Sequence, residues 1–284
     1  MPLWTPRNTY QYRISNMVNQ RPVAAWGTSI PSASAGNTYG SWTEIIANTV
    51  IVHDLHRVSI MICNTASAGV SVPSVIDIGI DPTGGTSYEV LIPKLSSHGA
   101  STLTEGGILY NFPLLVPAGA SVAARLMMLN TSAQTARVWF QGWGRPSHPE
   151  LSLYGTVVHA MGNDGNTLGT AVTAGTTSDG TYTLIKETTN TDYFWTQFGF
   201  NLSTADTGWA SLVYHCDVAH GNSTVQKADL ITGTVATTTS EQQTTSSPYF
   251  CWTNIPAGSN VYARLQVSGT ADTGTAVTVY GVAY

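Results

Sequence analysis

Charge is the first thing this chain is short of. Asp, Glu, Lys and Arg make up 10% of its 284 residues, against about a quarter in ordinary soluble domains. Chains that stay unfolded combine high charge with low hydrophobicity, so charge-driven disorder is excluded. Eleven Lys and Arg against sixteen Asp and Glu give a net charge of −5. No basic stripe results, which argues against the phosphate backbone as a target, and no nucleic-acid partner is expected. Cysteine is scarce as well. Cys63, Cys216 and Cys251 are odd in number and widely spaced, which fits reduced core thiols better than a disulfide framework. The opening residues M-P-L-W-T-P-R-N-T-Y-Q-Y-R lack the apolar core, about 7 to 15 residues long, of a secretory signal, and no later run reaches the roughly 20 apolar residues of a membrane span. A chain made and kept in a cytoplasm, with no membrane partner, is the expectation. Catalytic fingerprints are missing too: there is no G-x-S-x-G elbow, H-E-x-x-H, P-loop or dinucleotide-binding glycine pattern, so neither an enzyme nor a cofactor is expected.

What the chain does have is a repeat. P-A-G-A-S-V-A-A-R-L, residues 117–126, returns as P-A-G-S-N-V-Y-A-R-L, residues 256–265, at an offset of 139 that also pairs Thr131 with Thr270, Val138 with Val277 and Gly142 with Gly281. A repeat of this length means two whole domains and not a solenoid. Gly40-Ser-Trp42-Thr-Glu-Ile45 is answered by Gly180-Thr-Tyr182-Thr-Leu-Ile185, and Asp77-Ile by Asp217-Val.

Short β-branched runs, separated by Gly, Asn, Asp, Ser and Pro every 8 to 12 residues or so, signal a sandwich or barrel. Strands are expected at 42–47, 57–63, 75–80, 88–92, 107–112, 121–129 and 137–143, joined by turns such as Asp81-Pro-Thr-Gly-Gly85 and Pro117-Ala-Gly119, whose residues suit tight reversals. The predicted fold is all-β: two tandem jelly-roll-like β-sandwich domains from an internal duplication, preceded by an N-terminal arm. The arm is 1–24, the first sandwich 25–144, a linker with two prolines 145–152, and the second sandwich 153–284. Trp4, Tyr10 and Tyr12 in the arm need a docking surface, and an arm lying across a neighbouring subunit supplies one. The second copy carries an additional hairpin-like piece at 156–173 and a polar Thr-rich loop at 232–247.

Side chains alternate across a strand, so Val122, Ala124, Leu126 and Met128 share the core face, as do Val261, Ala263, Leu265 and Val267 in the second copy. The opposite face holds Ala123, Arg125, Met127 and Leu129 in the first copy but Tyr262, Arg264, Gln266 and Ser268 in the second. Trp139 and Trp143 likewise point outward where the second copy has Thr278 and Val282. An apolar face of this kind needs a cover, which the second domain, the arm or a neighbouring protomer can provide; Trp-rich sandwich faces favour the neighbour. The expected interface is therefore Trp4, Arg125, Met127, Leu129, Trp139 and Trp143. Arg125 and Arg264 are also placed to reach Asp77 and Asp217 as structural ion pairs within their own domains.

Other chemistry is weighed against this. His215-Cys216-Asp217 with His220 is the densest group of metal-ligand types, but no second ligand pair has a recognised spacing. Asp77 and Asp81 flank D-I-G-I-D, where an oxygen-ligated cation is conceivable. Neither enters the main reading, so no metal is assigned. Trp195, Trp209 or Tyr214 could stack on sugars in a carbohydrate-binding module, although such residues more often fill cores. A polysaccharide hydrolase would need two of the sixteen carboxyls facing one cleft, a weaker alternative.

G-S-W-T-E-I-I, D-I-G-I-D, V-L-I-P-K-L and N-F-P-L-L-V-P-A-G-A-S-V-A-A-R-L, in this order, resemble a β-sandwich module of tailed-bacteriophage virion structural proteins. The resemblance covers about 25–143 and, more diverged, 153–284. It implies a non-enzymatic virion component, a head decoration or fibre or a tail, collar or baseplate appendage, assembled in the host cytoplasm. The expected partners are further copies of itself, as a cyclic oligomer such as a trimer, other virion proteins, and host-surface glycan. Domain 1 and the arm would anchor, and domain 2 would face outward.

Overall fold

The computed structural model describes residues 12–16, 27–65, 74–97, 99–100, 108–128, 135–144, 154–163, 167–201, 213–224, 226–238, 241–243, 250–269 and 275–284. Trp4, Leu129, Trp209 and the linker at 145–152 lie outside them. Within them the chain is all-β. The first half contains β1 (Tyr12–Ser15), β2 (Thr28–Pro31), β3 (Thr38–Tyr39), β4 (Thr43–Ile46), β5 (Leu55–Thr65), β6 (Ser74–Asp81), β7 (Glu89–Ser97), β8 (Gly99–Ala100), β9 (Ile108–Phe112), β10 (Ser121–Met128) and β11 (Thr135–Gly144). The second contains β12 (Val157–Met161), β13 (Thr170–Ala171), β14 (Ala174–Gly175), β15 (Thr183–Lys186), β16 (Tyr193–Asn201), β17 (Val213–Gly221), β18 (Gln226–Thr238), β19 (Glu241–Gln243), β20 (Phe250–Ile255), β21 (Asn260–Val267) and β22 (Ala276–Ala283).

Each half is a two-sheet sandwich, and the pairing order of the first is repeated in the second. One sheet runs β2-β11-β5-β9 in the first half and β13-β22-β16-β20 in the second; the other runs β4-β10-β6-β7 and β15-β21-β17-β18. Counting these eight strands of each half in chain order, both wind as first-eighth-third-sixth against second-seventh-fourth-fifth. The alternation read from the repeated strand holds: Val122, Ala124, Leu126 and Met128 are buried in the first core, and Val261, Ala263, Leu265 and Val267 in the second. D-I-G-I-D is the same pattern on β6, with Ile76, Ile78 and Ile80 in the core and Asp77, Gly79 and Asp81 on the other face, opposite Arg125, Ala123 and Ser121 of β10.

The structure differs from the sequence reading at the arm, at 156–173, at 232–247 and at the cover of the first domain. The described part of the arm, β1, lies on its own chain as an added strand, Tyr12 opposite Gly144 and Ser15 opposite Gln141 on β11. The piece at 156–173 is no separate hairpin: β12 and β13 both pair with β22, just as β1 and β2 both pair with β11. It is the second copy's counterpart of the arm strand. Most of the expected loop at 232–247 is strand, with β18 turning back on β19; Thr is a good strand former, and composition alone hides this.

The largest correction concerns the cover of the first domain. In the first sandwich β7 and β9 end their respective four-strand orders on the same side, and the outer face of the β12-β22-β16 sheet closes that side. Val158, Trp195, Tyr280 and Val282 of the second half belong to the first half's core. Tyr280 stands edge-on to Tyr110 and Phe112, with ring centres 5.6 and 6.2 Å away. Met127, expected to be free for a neighbour, is buried with Val75 against Leu168 and Ala276 of the second half. Thr278 and Val282, the less apolar counterparts of Trp139 and Trp143, are fully buried. The first half's core therefore extends onto the outer face of the second half, while the second half keeps a core of its own.

The seam also satisfies the backbone. An edge strand leaves N–H and C=O groups without ladder partners, and buried ones are costly. On β7 the Ser96 N–H donates to the Tyr280 hydroxyl (2.8 Å), which itself donates to the Lys94 carbonyl (2.8 Å); the Tyr110 hydroxyl donates to the Ser96 carbonyl (2.6 Å). The Asn111 N–H donates to Gln197 Oε1 across the seam (3.1 Å). Burial pushes the Tyr280 phenol up to about 12, so it stays a donor. Replacing Tyr280 by Phe keeps the packing but strands the buried Ser96 N–H and the part-buried Lys94 carbonyl, and equilibrium urea unfolding should show a loss of about 1–3 kcal/mol; an unchanged midpoint would remove this role.

Candidate functional site

Asp77 accepts four hydrogen bonds. Arg125 Nε and Nη2 donate to its Oδ2 at 2.9 and 2.7 Å, while the Tyr39 hydroxyl (3.0 Å) and the Lys94 backbone N–H (2.8 Å) donate to Oδ1. The guanidinium is stacked between the rings of Tyr39 and Trp42, 4.4 and 4.5 Å from their centres, a geometry suited to the planar Arg fork. Burial and then the Asp77 charge hold the Tyr39 phenol far above its ordinary range, so it remains a donor. Gly79 makes the roof possible: a Cβ there would sit 2.7 Å from the Trp42 indole. Lys94 takes φ of +52° at an irregularity in the β6–β7 pairing, which turns its N–H toward Asp77.

The second copy builds a looser version. Arg264 donates to Asp217 Oδ2 at 3.0 and 2.8 Å, contacts Asp179 at 2.8 Å and lies 4.8 Å from the Tyr182 ring centre. The ion pairs read from the sequence are present in both halves, and Arg125, placed in the expected interface, is turned onto its own sheet. Asp77 is 4% exposed, against 15% for Asp217 and 37% for Asp179. Removing a partner from a buried pair is the expensive case. Asp77→Ala should cost about 3 kcal/mol or more and Asp179→Ala less than about 1 kcal/mol in urea unfolding; equal losses would contradict this ranking.

The remaining expected interface residues separate. Trp139 and Trp143 stay half-buried on the outer face of the β11 sheet, Trp139 Nε1 donating to Ser15 Oγ (2.9 Å) and Trp143 lying 5.1 Å from the Arg57 guanidinium. Arg13 stands opposite Trp143 and Cys63 opposite Arg137 on this face. Cys63 is thus no core thiol; it is half-buried, and burial pushes it up to about 11. Cys216 is a core thiol.

The residues considered for other chemistry do not converge. Asp81 accepts from Thr83 and Ser87 within its own turn, and Asp77 is occupied as above. His215 and Asp217 point outward on β17 opposite Gln266 and Arg264, with Cys216 inward. Among the described residues no three His, Cys, Asp or Glu gather around a point. Trp195 and Tyr214, considered for sugar stacking, are buried, one in the seam and the other 5.2 Å from Phe200 in the second core.

Sequence reasoning missed a cleft of about 360 Å³ at the seam. Its polar lining is Lys94, His159, Asn163, Lys186, Asn190 and Tyr193, and Pro93 and Met161 add apolar surface. Lys94 Nζ crosses from the first half to donate to the Asn163 carbonyl (2.6 Å). The His159 Nδ1 and Tyr193 hydroxyl share a hydrogen bond of 2.8 Å; burial, then the charge of Lys186, lowers the imidazole's pKa. These residues come from β7, β12, β15 and β16 and the turns beside them, so no local motif marks them.

No family model matches the chain, and no curated protein matches it. Among solved structures it is similar to PNGF-II in two crystal forms, at 7% and 8% identity and a TM-score of 0.34 in each. The similarity covers 91% of this chain and 66% and 65% of those chains, so the chain spans just under two thirds of their length.

Proposed function

We propose that this chain is a non-enzymatic structural subunit of a tailed-phage virion, a head decoration or fibre or a tail, collar or baseplate appendage. The observation that carries the reading is the outer face of the β11 sheet. Trp139 and Trp143 lie there with Arg13, Arg57 and Arg137, on a chain with net charge −5. Trp and Arg are the residues that subunit contacts favour, and an Arg-bearing face complements the acidic remainder of another copy. The buried seam supports the same reading, because it packs the two sandwiches against each other as a block suited to repetitive packing.

In this reading the first half anchors through that face to further copies and to other virion proteins, in a cyclic oligomer such as a trimer. The β15-β21-β17-β18 sheet, on the far side of the second core from the seam, faces outward, where host-surface glycan is met. Light scattering across a concentration series should give a mass that is a fixed multiple of the chain, and Trp139→Ser with Trp143→Ser should reduce it to one chain. A concentration-independent monomer would contradict the subunit reading, and antibody labelling of virions would place it on the particle.

A further inference from the structure

The chain has three lysines, Lys94, Lys186 and Lys227, and two of them line the seam cleft, brought there from different halves. Sixteen Asp and Glu are distributed over the sequence, yet none is among the described residues lining this cleft. Lys186 makes no ion pair among the described residues. The described lining is thus cationic on an acidic chain, the arrangement that focuses an anion.

A second observation is independent of charge. Asn163 is 2% exposed, and its Oδ1 accepts from the Thr167 hydroxyl (3.3 Å), but its buried Nδ2 has no hydrogen-bond partner among the described residues. A buried amide N–H left unmatched is unfavourable; Asn163 lines the cleft, and a small turn of its amide toward a ligand acceptor there would match it. Beside it, the paired His159 and Tyr193 keep donor and acceptor capacity at the imidazole and phenol, Asn190 supplies an exposed amide, and Pro93 and Met161 offer apolar surface for ring carbons. The volume lies at the lower end of small-molecule sites.

We propose that this cleft binds a monosaccharide-sized, hydroxylated ligand carrying one oxyanion. The oxyanion sits between Lys94 and Lys186, and the hydroxyls meet Asn163, Asn190 and the His159–Tyr193 pair. A sugar carboxylate and a sugar phosphate share this chemistry. The inference rests on the seam and not on the subunit reading, so its failure leaves that reading intact.

Isothermal titration of the full chain with glucuronate, glucose 6-phosphate and glucose tests it. At least one charged ligand should bind about tenfold or more tightly than glucose, as charge-assisted contacts require. Preference for glucuronate identifies the carboxylate source, and preference for the phosphate ester the other. Lys186→Met should weaken binding about tenfold while Lys186→Arg retains it, with the urea midpoint of each variant confirming the fold. Equal affinity for glucose, no binding by either charged ligand, or binding unchanged in Lys186→Met overturns the proposal.

Discussion

The structure depends on how one edge strand disposes of its backbone. Around Lys94 and Ser96, β7 has polar groups that no ladder partner takes, and each is met by a side chain. The Lys94 N–H goes to Asp77, the Lys94 carbonyl and Ser96 N–H to the Tyr280 hydroxyl, and the Ser96 carbonyl to Tyr110. Asp77 is in turn fixed by Arg125 and Tyr39, and Tyr280 belongs to the other half. Satisfying this short stretch therefore ties the roof of the first sandwich to the face of the second. An edge that would otherwise be open to further strands is closed within the chain.

The two copies differ where this closure demands it. Gln141 is the residue of the first copy that corresponds to Tyr280 at the offset of 139; it lies on the β11 sheet's outer face, opposite Ser15. Both positions lie beside the added strand of their half, Gln141 opposite Ser15 and Tyr280 opposite Ala160, but only Tyr280 plugs a seam. The Arg clamps diverge in parallel. Arg125 is stacked between two rings on a nearly buried Asp77, while Arg264 divides its contacts between Asp217 and a half-exposed Asp179. The tighter clamp is the one beside the seam.

Much of this was legible in the residues. The repeated V-x-A-R-L strand, read by alternation, identifies the core face in both halves, and the same parity sets Arg125 beside Asp77 and Arg264 beside Asp217. Cover was not legible. Alternation says which side of a strand Met127 or Val282 occupies, but not what packs there, because that depends on contacts far apart in sequence. Thr278 and Val282 read as a surface and are the inside of a seam; Trp195 and Tyr214 read as possible stacking platforms and are core. The cleft escaped for the same reason. Lys94 lies in V-L-I-P-K-L and Lys186 in L-I-K-E, with nothing in either run to announce the other.

The central claim is that the two sandwiches form one unit through the Tyr280 contact on β7. Amide hydrogen exchange of Ser96 under native conditions tests it most directly, since exchange rates separate groups released by local fraying from those released only by global opening. The account predicts that Ser96 exchanges as slowly as the Ile76 and Ile78 amides of the first core and the Val279 amide of β22. Exchange of Ser96 on the fast timescale of an open sheet edge, with Ile78 still protected, would contradict it.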